Sequence, residues 1–315
     1  MSLIKPLSDL SPYEYEHPFD EKALNLLKGT PGLEPICRKL TTEGIEKFYM
    51  IQCRGSNLKI TEENYPEIFT NLVTVCRTLN HKVIPDLYVE WDDNINASTV
   101  GIDQPLIIVT SGTIDRLSPL EIKFILGHEI GHIKSCHALY HLMANSVATL
   151  GDLLGGISSL FTLPLKLALQ KWSRMSEFTA DRCGLLACQD FNSTTSVFIK
   201  MAGLPESLHD RINLHSFLSQ AREFDSLDFE GLSKWIKFAA NMMHSTHPWT
   251  VLRIRELIRW MESGEYQRVL ERKTSNRLYI RYEGNLQFCR KCGYRLQGQE
   301  KFCNSCGQML QISCT

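Results

Sequence analysis

Apolar residues recur at helical spacing over 21–27, 34–50 and 66–79, so the first 80 residues read as a mostly helical lead-in. The pattern then changes. Residues 85–91 alternate with Leu87, Val89 and Trp91 on one side, the period of a half-buried strand, and Asp92-Asp93-Asn94 stops the run. Leu106-Ile107-Ile108-Val109 is continuous and short, as a buried strand would be. Ser118-Pro119-Leu120-Glu121 follows with an N-cap serine, a proline at the first helical position and a glutamate at N3. Leu120, Phe124 and Ile125 carry that helix forward, and the spacing lets it run on through His137 and His141. Two more helical stretches are expected over 173–188 and 250–261, the second closing near Ser263-Gly264.

Within the first of these helices lies Leu126-Gly127-His128-Glu129-Ile130-Gly131-His132. Four residues is a little over one turn, so His128 and His132 share a face and can offer ring nitrogens to one metal ion. Glu129, on the neighbouring flank, is placed to take a proton from water at that metal. An H-E-x-x-H alone also arises by chance, and a ligand from a second helix is what gives it weight. Glu177 and Asp181 supply such a pair, four apart on the helix 173–188. One carboxylate can complete a His₂Glu zinc site, and the other can hydrogen-bond the far nitrogen of a ligating histidine. His137 and His141 lack a glutamate between them, and His137 is rotated off the metal face of a continuous helix, so both read as structural or surface residues. His17 and His81 are isolated and read as ordinary surface or capping histidines.

Residues 142–169 are rich in Leu, Ala, Gly and Ser but contain Asp152, Lys166, Gly151, Gly155-Gly156 and Pro164. A membrane span needs about 20 mainly apolar residues, and this stretch reaches that length only by burying Asp152. A buried helical hairpin is the first expectation, with peripheral membrane contact through 142–169 as the alternative.

Composition narrows the picture further. The chain has 315 residues, 43% of them hydrophobic, enough for a proper core with an appendage. With Lys+Arg at 34 against Asp+Glu at 35, charge gives no argument for a nucleic-acid partner. The opening Met1-Ser2-Leu3-Ile4-Lys5-Pro6 lacks an apolar secretory pattern, so a cytoplasmic, reducing location is expected and the eleven cysteines read as thiols and metal ligands. Past Lys273 the composition shifts to a tail with Cys289-Arg290-Lys291-Cys292-Gly293 and Cys303-Asn304-Ser305-Cys306-Gly307. Two such knuckles match a four-thiolate zinc ribbon, with Cys289, Cys292, Cys303 and Cys306 around a structural ion. The ribbon's partner is not readable.

Asn96-Ala97, the strand at 106–109, Ser111-Gly112, the stretch 121–132 and the stretch 173–181 together resemble the HtpX and CaaX-prenyl-protease-like zinc metallopeptidases, family forty-eight of the metallopeptidases. Thr246-His247-Pro248 with Arg253-Ile254 resembles that family's downstream element. The resemblance covers roughly residues 80 to 260. It implies a gluzincin-like α+β fold, mostly helical, whose small sheet aligns an extended substrate on an edge strand beside the metal helix. It further implies that His128, His132 and Glu177 are ligands, Glu129 the base and Asp181 the partner behind a ligand. The sequence departs from membrane-spanning members in having no convincing transmembrane helix before the metal helix.

His247, just ahead of a helix opened by Pro248, is a candidate donor to a tetrahedral oxyanion, or else a cap. Arg253 could hold the site together through a carboxylate. The reading is therefore a helical region over 1–80, a metallopeptidase domain over 81–272, and a linker with zinc ribbon over 273–315. The expected activity is zinc-dependent endopeptidase cleavage of protein or peptide substrates, with one catalytic and one structural zinc. The rival is a non-catalytic zinc-binding scaffold whose ribbon recruits a protein or nucleic-acid partner.

Overall fold

The computed structural model describes residues 4–20, 46–101, 104–138, 141, 159–226 and 249–271. The helical stretch at 21–27, most of 34–50, residues 142–158, His247 and the four ribbon cysteines lie outside them. The elements, in chain order, are α1 (Glu46–Ser56), β1 (Leu58–Ile60), α2 (Pro66–Thr78), β2 (Asp86–Glu90), β3 (Ala97–Val100) and β4 (Leu106–Thr110). Then come α3 (Ser111–Arg116), α4 (Pro119–Lys134), α5 (Ser159–Cys188), α6 (Phe191–Met201), α7 (Leu214–Ser226), α8 (Thr250–Glu262) and α9 (Glu265–Glu271). This is a mostly helical α+β fold with one small sheet.

The sheet order is β1-β2-β4-β3, with β2 and β4 parallel and the outer strands antiparallel to their neighbours. Both of its faces are covered, which is why β4 reads as an unbroken apolar run. Ile107 and Val109 join the main core with Leu126 and Ile130 of α4. Leu106 and Ile108 pack on the other side with Tyr88 and Cys53, beside Met50 of α1. The alternation expected over 85–91 fails for the same reason: Tyr88 is buried at 4%, whereas Trp91 falls past the end of β2 and is 85% exposed. In the lead-in, the helix expected over 66–79 is α2, and α1 takes in the end of the stretch expected over 34–50. Residues 4–20 hold a 3₁₀ turn, Pro12–Glu14, and helical residues 18–20, and pack Leu7, Leu10 and Tyr15 into the main core. The strand β1 also lies in this region and is too short to show a period.

The start of α4 is capped as the sequence implies. The Ser118 amide donates to Glu121 Oε2 at 2.6 Å, and the same carboxylate pairs with Lys200 of α6 at 2.8 Å. Its end differs from expectation, because the helix stops at Lys134 instead of continuing through His141. Cys136 takes a left-handed φ of 57°, its amide donates to the Ile133 carbonyl at 3.2 Å, and the His137 amide donates to the His132 carbonyl at 3.0 Å. That is a Schellman turn, and it folds the chain back over the last turn of α4.

α4 and α5 run antiparallel at unusually close range. A Cβ on Gly127 would lie 2.3 Å from Ala187 Cβ, and one on Gly131 would lie 2.8 Å from Cys183 Cβ. Small residues at four-residue spacing on α4 face small residues on α5, so the two backbones approach. The helix α5 passes through Pro164, which its sequence marks as a breaker. Among the described residues no helix is long and apolar enough to cross a membrane.

This contact gives a paired prediction. Alanine is the better helix former, so Gly55→Ala in α1, where an added Cβ meets nothing within 4 Å, should stabilise by roughly 0.5–1 kcal/mol. Gly127→Ala should do the opposite, costing about 1–3 kcal/mol through overpacking. Chemical denaturation measures both, and a stable Gly127→Ala protein would contradict the close packing described.

Candidate metal centre

His128 and His132 sit on the buried face of α4 that meets α5 at Glu177 and Asp181. The His128 and His132 Nε2 atoms are 3.1 Å apart. Glu177 lies 3.5 Å from the first through Oε2 and 3.4 Å from the second through Oε1. Behind His128, its Nδ1–H donates to Asp181 Oδ1 at 3.0 Å. That bond fixes the tautomer and leaves a lone pair on Nε2. Arg253 of α8 closes the back of the site, donating from Nε to Asp181 Oδ2 at 2.8 Å and standing 3.7 Å from Glu177 Oε2. All five side chains are buried.

Burial by itself would raise the Asp181 carboxyl pKa, but Arg253 and His128 outweigh it and hold the group below the usual carboxylate range. Burial opposes a charge on His128, yet its hydrogen bonds to the Asp181 and Glu177 carboxylates raise its pKa to about 9. Burial, with His128 alongside, lowers that of His132 to about 4. Glu129 is buried at 3%, and its pKa is raised chiefly by burial against the pull of His128 and of a hydrogen bond from Thr99. Thr99 Oγ–H donates to Glu129 Oε2 at 2.7 Å, so the outer strand β3 holds the carboxylate next to the imidazoles.

The donor set fits a metal ion. Imidazole lone pairs and carboxylate oxygens converge, which is the donor chemistry that a cation satisfies. A tetrahedral ion with bonds of about 2.0–2.1 Å holds its ligands about 3.3 Å apart, close to the 3.1 to 3.5 Å seen here.

The structure brings together His128, Glu129, His132, Glu177, Asp181 and Arg253, which are scattered over 125 positions of chain. His247 and the four ribbon cysteines are outside the described residues. For two histidines the surface alternative fails. His137 is buried at 1%, because the turn after Lys134 returns its Nδ1 to within 2.9 Å of His132 Nδ1. His17 is buried at 4%; its Nδ1 accepts the Phe19 amide at 3.2 Å and its Nε2 pairs with Glu256 of α8 at 3.2 Å. Sequence reasoning also missed Thr99 and Asp20. No local pattern marks either residue, since each acts on a partner more than 20 positions away.

An H-E-x-x-H helix, a carboxylate from a second helix beside its two histidines and a small covered sheet describe a metallopeptidase. The comparisons give the family. The pattern of Peptidase family M48 matches residues 74–261, and the chain belongs to that family. It is 33% identical to the plastoglobule-localized metallopeptidase 48 of Arabidopsis thaliana over 84% of this chain and 77% of that protein. It is 24% identical to a protease HtpX homolog of Burkholderia cenocepacia, over 68% of this chain and 81% of that protein, and to one of Burkholderia ambifaria over the same shares. No solved structure matches the chain.

Proposed function

We propose that this metallopeptidase is a zinc-dependent endopeptidase acting on protein substrates, with His128, His132 and Glu177 as ligands and Glu129 as general base. The observation that carries the reading is the convergence of three donors within 3.1 to 3.5 Å, with the Thr99-held Glu129 carboxylate beside them. Zinc, when bound, polarises the scissile carbonyl and lowers the pKa of a coordinated water towards about 7. Glu129 takes the proton of the attacking water and returns it to the leaving amine. Asp181 and Arg253 keep His128 turned so that Nε2 faces inward.

The sheet order leaves β3 outermost, and β3 touches α4 through Thr99. An extended peptide added along that edge would pass beside Glu129, with main-chain hydrogen bonds holding it in place. His247, which precedes α8, is retained as the candidate oxyanion donor. Cys289, Cys292, Cys303 and Cys306 would hold a second, structural zinc. The names of the matched proteins, metallopeptidase and protease, support a hydrolase over the non-catalytic scaffold.

Metal analysis of the full chain should return two zinc ions, and hydrolysis of casein or a quenched peptide should vanish on chelation and return with added zinc. One zinc per chain with no hydrolysis would reject the reading in favour of a scaffold.

A further inference from the structure

His132 Nδ1, on the side of the ring away from the metal position, does not meet a carboxylate as His128 does. It meets His137 Nδ1 at 2.9 Å. His137 Nε2 in turn lies 2.9 Å from Asp20 Oδ2, and Thr179 Oγ–H of α5 donates to that same oxygen at 2.6 Å. Thr179 Oγ accepts the His17 amide at 3.0 Å. Asp20, Thr179 and His137 are at most 3% exposed, and the His137 ring lies edge-on to Trp172 with centroids 5.5 Å apart.

Proton counting along this chain has one solution once His132 gives its Nε2 lone pair to an ion. Its Nδ1 then carries a hydrogen and must donate, so His137 Nδ1 must be the acceptor. His137 is left with its hydrogen on Nε2, which donates to the Asp20 carboxylate, an acceptor only. Each hydrogen has one acceptor, and reversing any step sets two hydrogens or two lone pairs face to face. His141 also lies near these imidazoles, but its nitrogens face Ser173 at 3.1 Å and Ser176 at 2.8 Å. A second ion among the three histidines would need the His132 Nδ1 lone pair, which the proton occupies.

We propose that His137 and Asp20 are positioning residues for the metal ligand His132, so that the N-terminal segment 4–20 is a working part of the metal centre. Asp20 does for His132, through one intervening imidazole, what Asp181 does for His128 directly. The segment is anchored by its own core residues Leu7, Leu10 and Tyr15, which precede Asp20 along the chain. Metal binding and docking of the segment are then linked, each strengthening the other by the same factor. This rests on the His₂Glu site proposed above.

The test titrates the full-length apoprotein with Co²⁺, whose thiolate charge-transfer bands report the cysteine site and whose weaker ligand-field bands report the His₂Glu site. Chelator competition gives the affinity at each. Asp20→Ala and His137→Phe should weaken the His₂Glu site about 10–100-fold. The cysteine site should be unchanged. Asp20→Asn keeps the acceptor oxygen without the charge and should recover part of the loss; it also serves where the alanine variant does not fold. Cys53→Ala, a buried change in the separate core beneath Leu106 and Ile108 that touches neither the segment nor the relay, should stay within about twofold of the native affinity. Native affinity in Asp20→Asn and His137→Phe together would overturn the proposal, as would a loss in Cys53→Ala equal to theirs. Absence of the ligand-field site from the native chain would instead reject the metal-centre reading itself.

Discussion

Glu129→Gln should abolish peptide hydrolysis while leaving the metal in place. Glutamine keeps the length and shape of the side chain, and its amide oxygen can still accept the Thr99 hydroxyl that now lies 2.7 Å from Oε2. What it loses is the capacity to accept a proton. General-base catalysis typically supplies 10²–10⁴-fold, and a base that also reprotonates the leaving amine belongs at the upper end, so kcat/KM should fall about 10³–10⁴-fold. Zinc content should match the native chain, because Glu129 is not among the three converging donors. Folding should not suffer either. Burying an ionised carboxylate is costly, and a neutral amide of the same shape removes that cost, so the thermal midpoint should hold or rise. Residual activity within about tenfold of native would mean that another group carries the proton.

Arg253→Met should give the largest loss of stability. The guanidinium holds Asp181 through two nitrogens, one of them Nε at 2.8 Å, and is itself only 3% exposed. Removing it leaves Asp181 and Glu177 buried without the guanidinium that pairs with both, and breaking a buried pair in this way typically costs about 3–5 kcal/mol. Denaturant unfolding of the apoprotein measures the cost. Asp181→Asn in the same background should recover part of it, since the uncompensated charge is then gone. A loss below about 1 kcal/mol for Arg253→Met would show that the pair is far better solvated than its burial indicates. Metal affinity should fall with it, because Asp181, which holds the His128 ring, loses its own anchor.

Much of this arrangement was legible in the sequence because it depends on short-range periodicity. The i, i+4 spacing of His128 and His132, and of Glu177 and Asp181, is a helix-face relation that holds wherever the helix sits. The capping box at Ser118 and Glu121 worked for the same reason. The errors came where tertiary contact overrides local pattern. Residues 85–91 alternate, yet β2 is covered on both sides, and the alternation carries no information about Tyr88. His137 could be read as a surface residue only on the assumption of a continuous helix; one left-handed residue, Cys136, turns it inward behind His132 instead. Asp20 is out of reach of any such reasoning, because its role depends on where the segment before it docks.

The close approach of α4 and α5 has a consequence for how such a site can change. Gly127 and Gly131 leave no room for side chains between the helices, so the distance from His128 and His132 to Glu177 is set by main chain on main chain. The donor set is thus a rigid casting, in place before any ion arrives, and binding spends little on reorganisation. Almost any enlargement along that seam moves a ligand. The outer edge of β3 carries no such constraint. Divergence in what the enzyme cuts should therefore accumulate along the rim, at exposed positions such as Ser98, while Thr99, which holds Glu129, and the seam stay frozen.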